Sequence, residues 1–218
     1  MKVTFSTKLL VVISSCVLLA GFTLIVLLEQ AKQMEAIPLF TERQPSLGSL
    51  NAPVHVVVFE DPKCNNCIIY HRTTFAPLKS EFIDSGKVRY TVFLVSGLKQ
   101  SATISNFLFC INSQSTKAFF DYLHTYYENP PLALDDGALI VDLKKKAQAL
   151  KLPIDIAKLN TCAADHGFAK EVMDNTNYAR AIMGGVIKTP SVFVNGKKLS
   201  RPSYNELRKA INSELKSR

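Results

Sequence analysis

Val54-His55-Val56-Val57-Val58-Phe59-Glu60-Asp61-Pro62-Lys63-Cys64-Asn65-Asn66-Cys67, residues 54–67, is the stretch on which the fold turns. Six residues rich in β-branched side chains read as a buried strand, and Glu60-Asp61-Pro62-Lys63 breaks it. From Cys64 an apolar helical spacing runs through Cys67, Ile68, Phe75, Leu78 and Phe82. The two cysteines therefore stand where a strand passes into a helix. A thiol there faces unpaired backbone N–H groups and the positive end of the helix dipole, which favour thiolate over thiol. Two intervening residues bring the second sulfur within reach of the first, so the pair can cycle between dithiol and disulfide. Lys63 adds a local positive charge, and the amides of Asn65 and Asn66 are candidate donors to the thiolate.

Downstream, Pro77 removes a backbone bond and is expected to kink the helix, and Gly86 closes it. Val88 to Val95 reads as a second strand. Residues 101–182 keep helical spacing nearly throughout, with breaks expected at Asn129-Pro130-Pro131, Pro153 and Gly167. Ser191-Val192-Phe193-Val194 returns to strand character, and Asn195-Gly196 is a strong hairpin signal. Ser203 and Glu206 form a capping box that opens a last helix ending near Lys216. The order is β-α-β, a block of helices, β-β, α, without internal repeat.

Other readings of the cysteine pair stand beside the redox one. Cys67 and His71 give a C-x2-C-x3-H spacing, and Cys110, Cys162, His124 and His166 are further zinc-ligand types. A c-type haem site needs His directly after the second Cys, and position 68 is Ile. A purely structural bridge across so short a loop adds little entropic stabilisation. A second element is Lys188-Thr189-Pro190-Ser191, directly before the strand and hairpin. A cis bond at Pro190 would leave the preceding backbone open to a docked chain, although only ~5–6% of X-Pro bonds are cis.

Strand, C-x-x-C at a helix start, and Thr-Pro before a distant strand and hairpin together resemble the thioredoxin superfamily. The helical block is similar to the inserted domain of DsbA-like thiol:disulfide oxidoreductases. Gly48 to Val54 and Phe59 to Cys64 are similar to the entry strand of that family's bacterial extracytoplasmic members. The likeness covers roughly residues 46–216. It implies an α/β thioredoxin fold, a central mixed sheet flanked by helices with an inserted all-helical subdomain. It implies that Cys64 is the attacking thiol and Cys67 the resolving one. It also implies a cis Thr189-Pro190 beside the pair, forming the client-binding groove. The expected segments are 1–8 cytoplasmic, 9–28 a transmembrane signal anchor and 29–47 a tether. The thioredoxin-like domain takes 48–98 and 183–218, and the helical subdomain 99–182.

Two departures from the family pattern stand out. Its dipeptide often carries Pro and an aromatic or His, where this chain has Asn65-Asn66. Many relatives hold a buried acid six positions before the first Cys, where this chain has Val58; Glu60 and Asp61 are expected to point away from the pair. In an oxidising compartment Cys110 and Cys162 read as a structural disulfide, against two buried thiols. His71, seven residues after Cys64, reads as a surface or half-buried histidine. His55, His124 and His166 have no evident partners.

Composition sets the frame for these motifs. The chain has 218 residues, is 47% hydrophobic and 20% charged, and carries five Cys and a formal net charge of +8. These values exclude a disordered chain and a small disulfide scaffold. The lysines are scattered, with only Lys144-Lys145-Lys146 adjacent, so nucleic acid is not an expected partner. Leu9 to Leu28 is an uncharged block long enough to span a bilayer as a helix, which makes Cys16 an apolar residue within the span. Lys2 and Lys8 before it and Glu29 after it keep the N-terminus cytoplasmic and export the rest; a cleaved signal peptide is the rival reading. The expected protein is a monomeric, membrane-tethered oxidoreductase without cofactor or metal, facing the periplasm or exterior. It oxidises reduced client proteins and is reoxidised by a membrane redox partner. The same site run in reverse gives a reductase or isomerase, and a metal-binding chaperone is the non-catalytic alternative.

Overall fold

The structure, a computed structural model, describes residues 5–33, 35–131 and 135–217, with side chains of the first helix described at residues 10 and 12–26. The chain forms two units, Met1–Ile37 and Pro38–Arg218.

The first unit is helix α1 (Phe5–Gln33). Thr23 donates its hydroxyl to the carbonyls of Leu19 and Ala20, and Cys16 is an exposed free thiol. The expected membrane anchor is corrected here: among the described residues no helix is long and apolar enough to cross a membrane. The transmembrane helix, the single-pass placement, Cys16 within a span and attachment through this segment therefore fall. Lys2 and the side chains of Lys8 and Glu29, which set the expected orientation, lie outside the described residues.

The second unit is built on a mixed five-stranded sheet. Its elements in chain order begin with β1 (Ser46–Leu47), β2 (Val54–Glu60), α2 (Asn65–Tyr70), α3 (Ala76–Leu78) and β3 (Val88–Leu94). Then come α4 (Ser101–Asn112), α5 (Thr116–Glu128), α6 (Asp136–Ala149), α7 (Ile156–Ala164) and α8 (Ala169–Ile182). β4 (Ser191–Val194), β5 (Lys197–Lys198) and α9 (Tyr204–Lys216) complete it. The strand order is β1-β3-β2-β4-β5. β2 runs parallel to β3 and antiparallel to β4, with Val58 opposite both Val92 and Val192. The β2–helix–β3 crossover is the kind of connection a parallel pair requires.

Period-two alternation divides β2 between two buried faces. Val54, Val56 and Val58 join Tyr70, Leu78, Phe82, Leu207 and Ile211 in one core. Phe59 packs on the other face, stacked on Phe93 at 4.5 Å and edge-on to Phe193 at 5.7 Å. Pro77 does not end its helix. π-helical turns at His71–Phe75 and Lys79–Ile83 flank it, and the wider hydrogen-bond ring absorbs the donor that proline lacks. Asn195 and Gly196 both take positive φ, the backbone of a type I′ turn, and join β4 to β5. The Ser203 hydroxyl caps α9 by accepting from the Glu206 N–H.

Residues 38–47, read as the end of a tether, lie on the folded unit. Val92 N donates to Pro45 O at 3.0 Å. Gln44 and Asn175 exchange two amide hydrogen bonds of 2.9 Å each. Asn175 also donates to the Leu94 carbonyl, and Tyr178 bonds both Phe40 N and Pro38 O. This strap closes the sheet edge beside β3. The helical block holds one bridge: Cys110 on α4 and Cys162 on α7 are joined at 2.00 Å, 52 residues apart in sequence.

Candidate active site

The loop from β2 into α2 is fixed before the first cysteine arrives. Asp61 is buried, and its carboxylate accepts from Lys63 N, Gly97 N, Leu98 N and Ser101 Oγ, tying the loop to the start of α4. Asp61 O accepts from Cys64 N at 2.9 Å, and Tyr126 on α5 donates its hydroxyl to Pro62 O at 3.0 Å. Held this way, Cys64 becomes the N-cap of α2 with extended backbone, and its carbonyl accepts from Cys67 N and Ile68 N.

Cys64 is half-buried and Cys67 wholly buried. Across the site the Thr189–Pro190 bond is cis, and the Thr189 carbonyl lies 3.4 Å from the Cys64 sulfur as its acceptor. The Cys67 thiol, by donating to Cys64, does most to stabilise the Cys64 thiolate. Burial opposes it, while the Thr189 side chain and the N–H groups of Cys67 and Asn66 assist, leaving the Cys64 pKa lowered to about 5. Burial, then the bond to Cys64, then Glu60, push the Cys67 thiol far above its ordinary range. One sulfur is thus a thiolate at neutral pH and the other a thiol that donates to it.

Glu60 corrects the expectation that it points away. It occupies the same face of β2 as Val58, so its carboxyl lies under α2 rather than out toward solvent. It is 0% exposed, and burial raises its pKa to about 7 against the pull of the Tyr127 and Tyr90 hydroxyls, with the Cys64 charge raising it further. Tyr90 donates to Oε1 at 3.4 Å, whereas Oε2 has no hydrogen-bond partner among the described residues. A carboxyl raised toward neutrality beside a buried thiol is equipped to hold or give up a proton there. Sequence reasoning missed this residue; counting the strand alternation from Val58 would have found it.

The other sequence candidates fall outside this centre. His71 is buried rather than at the surface and faces α5, its Nε2 3.2 Å from His124 Nδ1 and its ring stacked on Phe75. Burial and then His124 lower its pKa to about 3. His55 pairs with Thr91 Oγ1 at 2.8 Å at the opposite end of β2. Lys63, Asn65 and Asn66 line the open side of the loop, with both asparagines exposed. Among the described residues no group of three or more His, Cys, Asp or Glu converges as a metal site, and Cys110 and Cys162 are consumed by their bridge.

Comparison with known proteins finds relatives of the same fold. The thioredoxin family model matches residues 41–213. A probable disulfide bond formation protein D from Bacillus cereus is 31% identical over 175 residues, covering 79% of each chain. The disulfide bond formation protein D of Bacillus subtilis is 26% identical over 183 residues, covering 80% of this chain and 78% of that one. Among solved structures, oxidised BdbD from Bacillus subtilis superposes with a TM-score of 0.74 at 25% identity, over 83% of this chain and 97% of that chain. DsbA from Chlamydia trachomatis gives the same TM-score at 24% identity, over 84% and 97%.

Proposed function

We infer, for a chain that belongs to the thioredoxin family and is homologous to the bacterial DsbA- and BdbD-type thiol-disulfide oxidoreductases, a site that exchanges disulfides with client proteins through Cys64 and Cys67. The observation that carries this reading is the split between the sulfurs: a half-exposed thiolate stabilised to about 5 and a buried thiol held far above it. The membrane tether expected from the sequence has no part in it.

In the oxidising direction, a client thiolate attacks the Cys64 sulfur of the enzyme disulfide. The S–S bond to Cys67 breaks, and Cys67 leaves as a thiolate that takes a proton; the protonated Glu60 carboxyl is placed to supply it. A second client thiolate then attacks the client sulfur of the mixed disulfide and releases Cys64 as its thiolate. The client loses two electrons and two thiol protons, and the enzyme disulfide gains the electrons. The stabilised Cys64 is a good leaving group for this last step. The names of the Bacillus relatives, disulfide bond formation proteins, favour the same direction.

The reverse direction, reduction or isomerisation, is favoured by one observation of its own. There Cys64 attacks a client disulfide, and Cys67 must lose its proton to resolve the mixed disulfide. Glu60, raised to about 7 and beside that thiol, is a base suited to the task. Equilibration of the Cys64–Cys67 pair with glutathione decides between the two. The lowered Cys64 pKa is expected to give a potential nearer the ~−120 mV of strong oxidants than the ~−270 mV of reductants. A value at or below −270 mV assigns the site to reduction, and a pair that does not exchange with glutathione overturns both.

A further inference from the structure

Three segments meet at the loop that carries Cys64: residues 62–69, 96–100 and 183–190. The Asp61 carboxylate fastens the second to the first through Gly97 N and Leu98 N. The contact between Cys64 and the Thr189 carbonyl joins the third. Each segment contributes one lysine, Lys63, Lys99 or Lys188, and none contains Asp or Glu. Each also contributes one large apolar side chain that is more than half exposed: Ile69 at 57%, Leu98 at 51% and Val186 at 64%.

The acids that adjoin this rim are turned inward. Glu60 and Asp61 are both buried, and Asp61 is saturated by its four donors. Behind Lys188 a further cation stands close by: burial, and then the Lys188 charge, lower the Lys198 ammonium below its ordinary value. A rim of one sign around a reactive sulfur raises the local concentration of oppositely charged partners and repels like ones, and its effect weakens with salt. Asn65 and Asn66, which follow Cys64, carry no charge, so the lysines of the three segments set the sign of the charge there.

We propose that this rim selects client segments with Asp or Glu, together with an apolar residue, beside the reacting cysteine, through Lys63, Lys99 and Lys188 and the apolar contacts of Ile69, Leu98 and Val186. The selection rests on the disulfide-exchange reading and names the class of client that the same site takes. The acidic side chains meet the three ammonium groups, and the apolar neighbour covers the exposed Leu98, Val186 or Ile69.

Three dithiol peptides, identical except for Asp, Asn or Lys flanking the cysteine, test this with the full-length oxidised protein in stopped-flow exchange. At about 20 mM salt the Asp peptide is expected to react roughly tenfold faster than the Lys peptide, and the ratio to shrink to about twofold near 1 M salt. The Lys63→Glu/Lys188→Glu double variant is expected to reverse the order, while Glu128→Gln, at the end of the α5 helix that holds Pro62, leaves it in place. Equal rates for the three peptides, or a ratio indifferent to salt, overturn the selection and leave disulfide exchange standing. No exchange with any peptide, by a protein whose Cys64–Cys67 disulfide is intact, overturns the exchange reading itself.

Discussion

Cys64 and Cys67 divide one chemical task by environment rather than by residue type. Because the largest stabilisation of the Cys64 thiolate comes from the Cys67 thiol, Cys67→Ala should raise the Cys64 pKa from about 5 by at least one unit. Alkylation rate against pH reads this directly: the midpoint should stand near 5 in the reduced protein and shift upward in the variant. Glu60 acts in the opposite sense. Its folded pKa lies above the unfolded value of 4.5, so its contribution to stability is complete below 4.5 and is lost as pH rises to about 7. For a fully buried carboxyl that shift corresponds to about 3 kcal/mol. Glu60→Gln should therefore be more stable than the parent at pH 8 by denaturant titration, while the rate of mixed-disulfide resolution loses its inflection near pH 7. A variant that keeps the inflection removes Glu60 from the proton path.

Among the elements, the link between α4 and α7 carries the clearest energetic expectation. Closing 52 residues of chain stabilises the folded state by about 4 kcal/mol in the chain-entropy account. The Cys110→Ala/Cys162→Ala variant should lose roughly 2–5 kcal/mol in chemical denaturation and still exchange disulfides. Elements were legible in the sequence where local chemistry specifies them. The Val54–Phe59 run, the Asn195-Gly196 turn and the Ser203 cap formed as their residues require. The break between α4 and α5 went unread because the segment 113–115 holds neither Gly nor Pro, and only the Ser115 hydroxyl, accepting from Ala118 N, marks the new start. Residues 38–47 read as a tether because their order depends on partners such as Asn175, which lies 131 residues from Gln44. Glu60 was missed for a related reason: its role depends on which face of β2 is covered, not on its neighbours in sequence.

For the molecule as a whole, redox state and stability are linked. A thiolate stabilised only in the folded, reduced protein favours that state over the disulfide form at neutral pH. The reduced protein should thus melt at a higher temperature than the oxidised one at pH 7. The gap should narrow as pH falls through about 5, where Cys64 regains its proton. Calorimetry of both forms checks this, and a more stable disulfide form would place the pair among reductants. The strap over the sheet edge carries a different consequence, for where the chain can be cut. Cleavage on the N-terminal side of Pro38 removes none of the hydrogen bonds to Asn175 and Tyr178. Cleavage after Gln44 strips Asn175 of its amide partner and Tyr178 of its bonds to Phe40 and Pro38, leaving the two-residue β1 alone to cover the edge of β3. The shortest chain that keeps every bond of the strap therefore begins at residue 38.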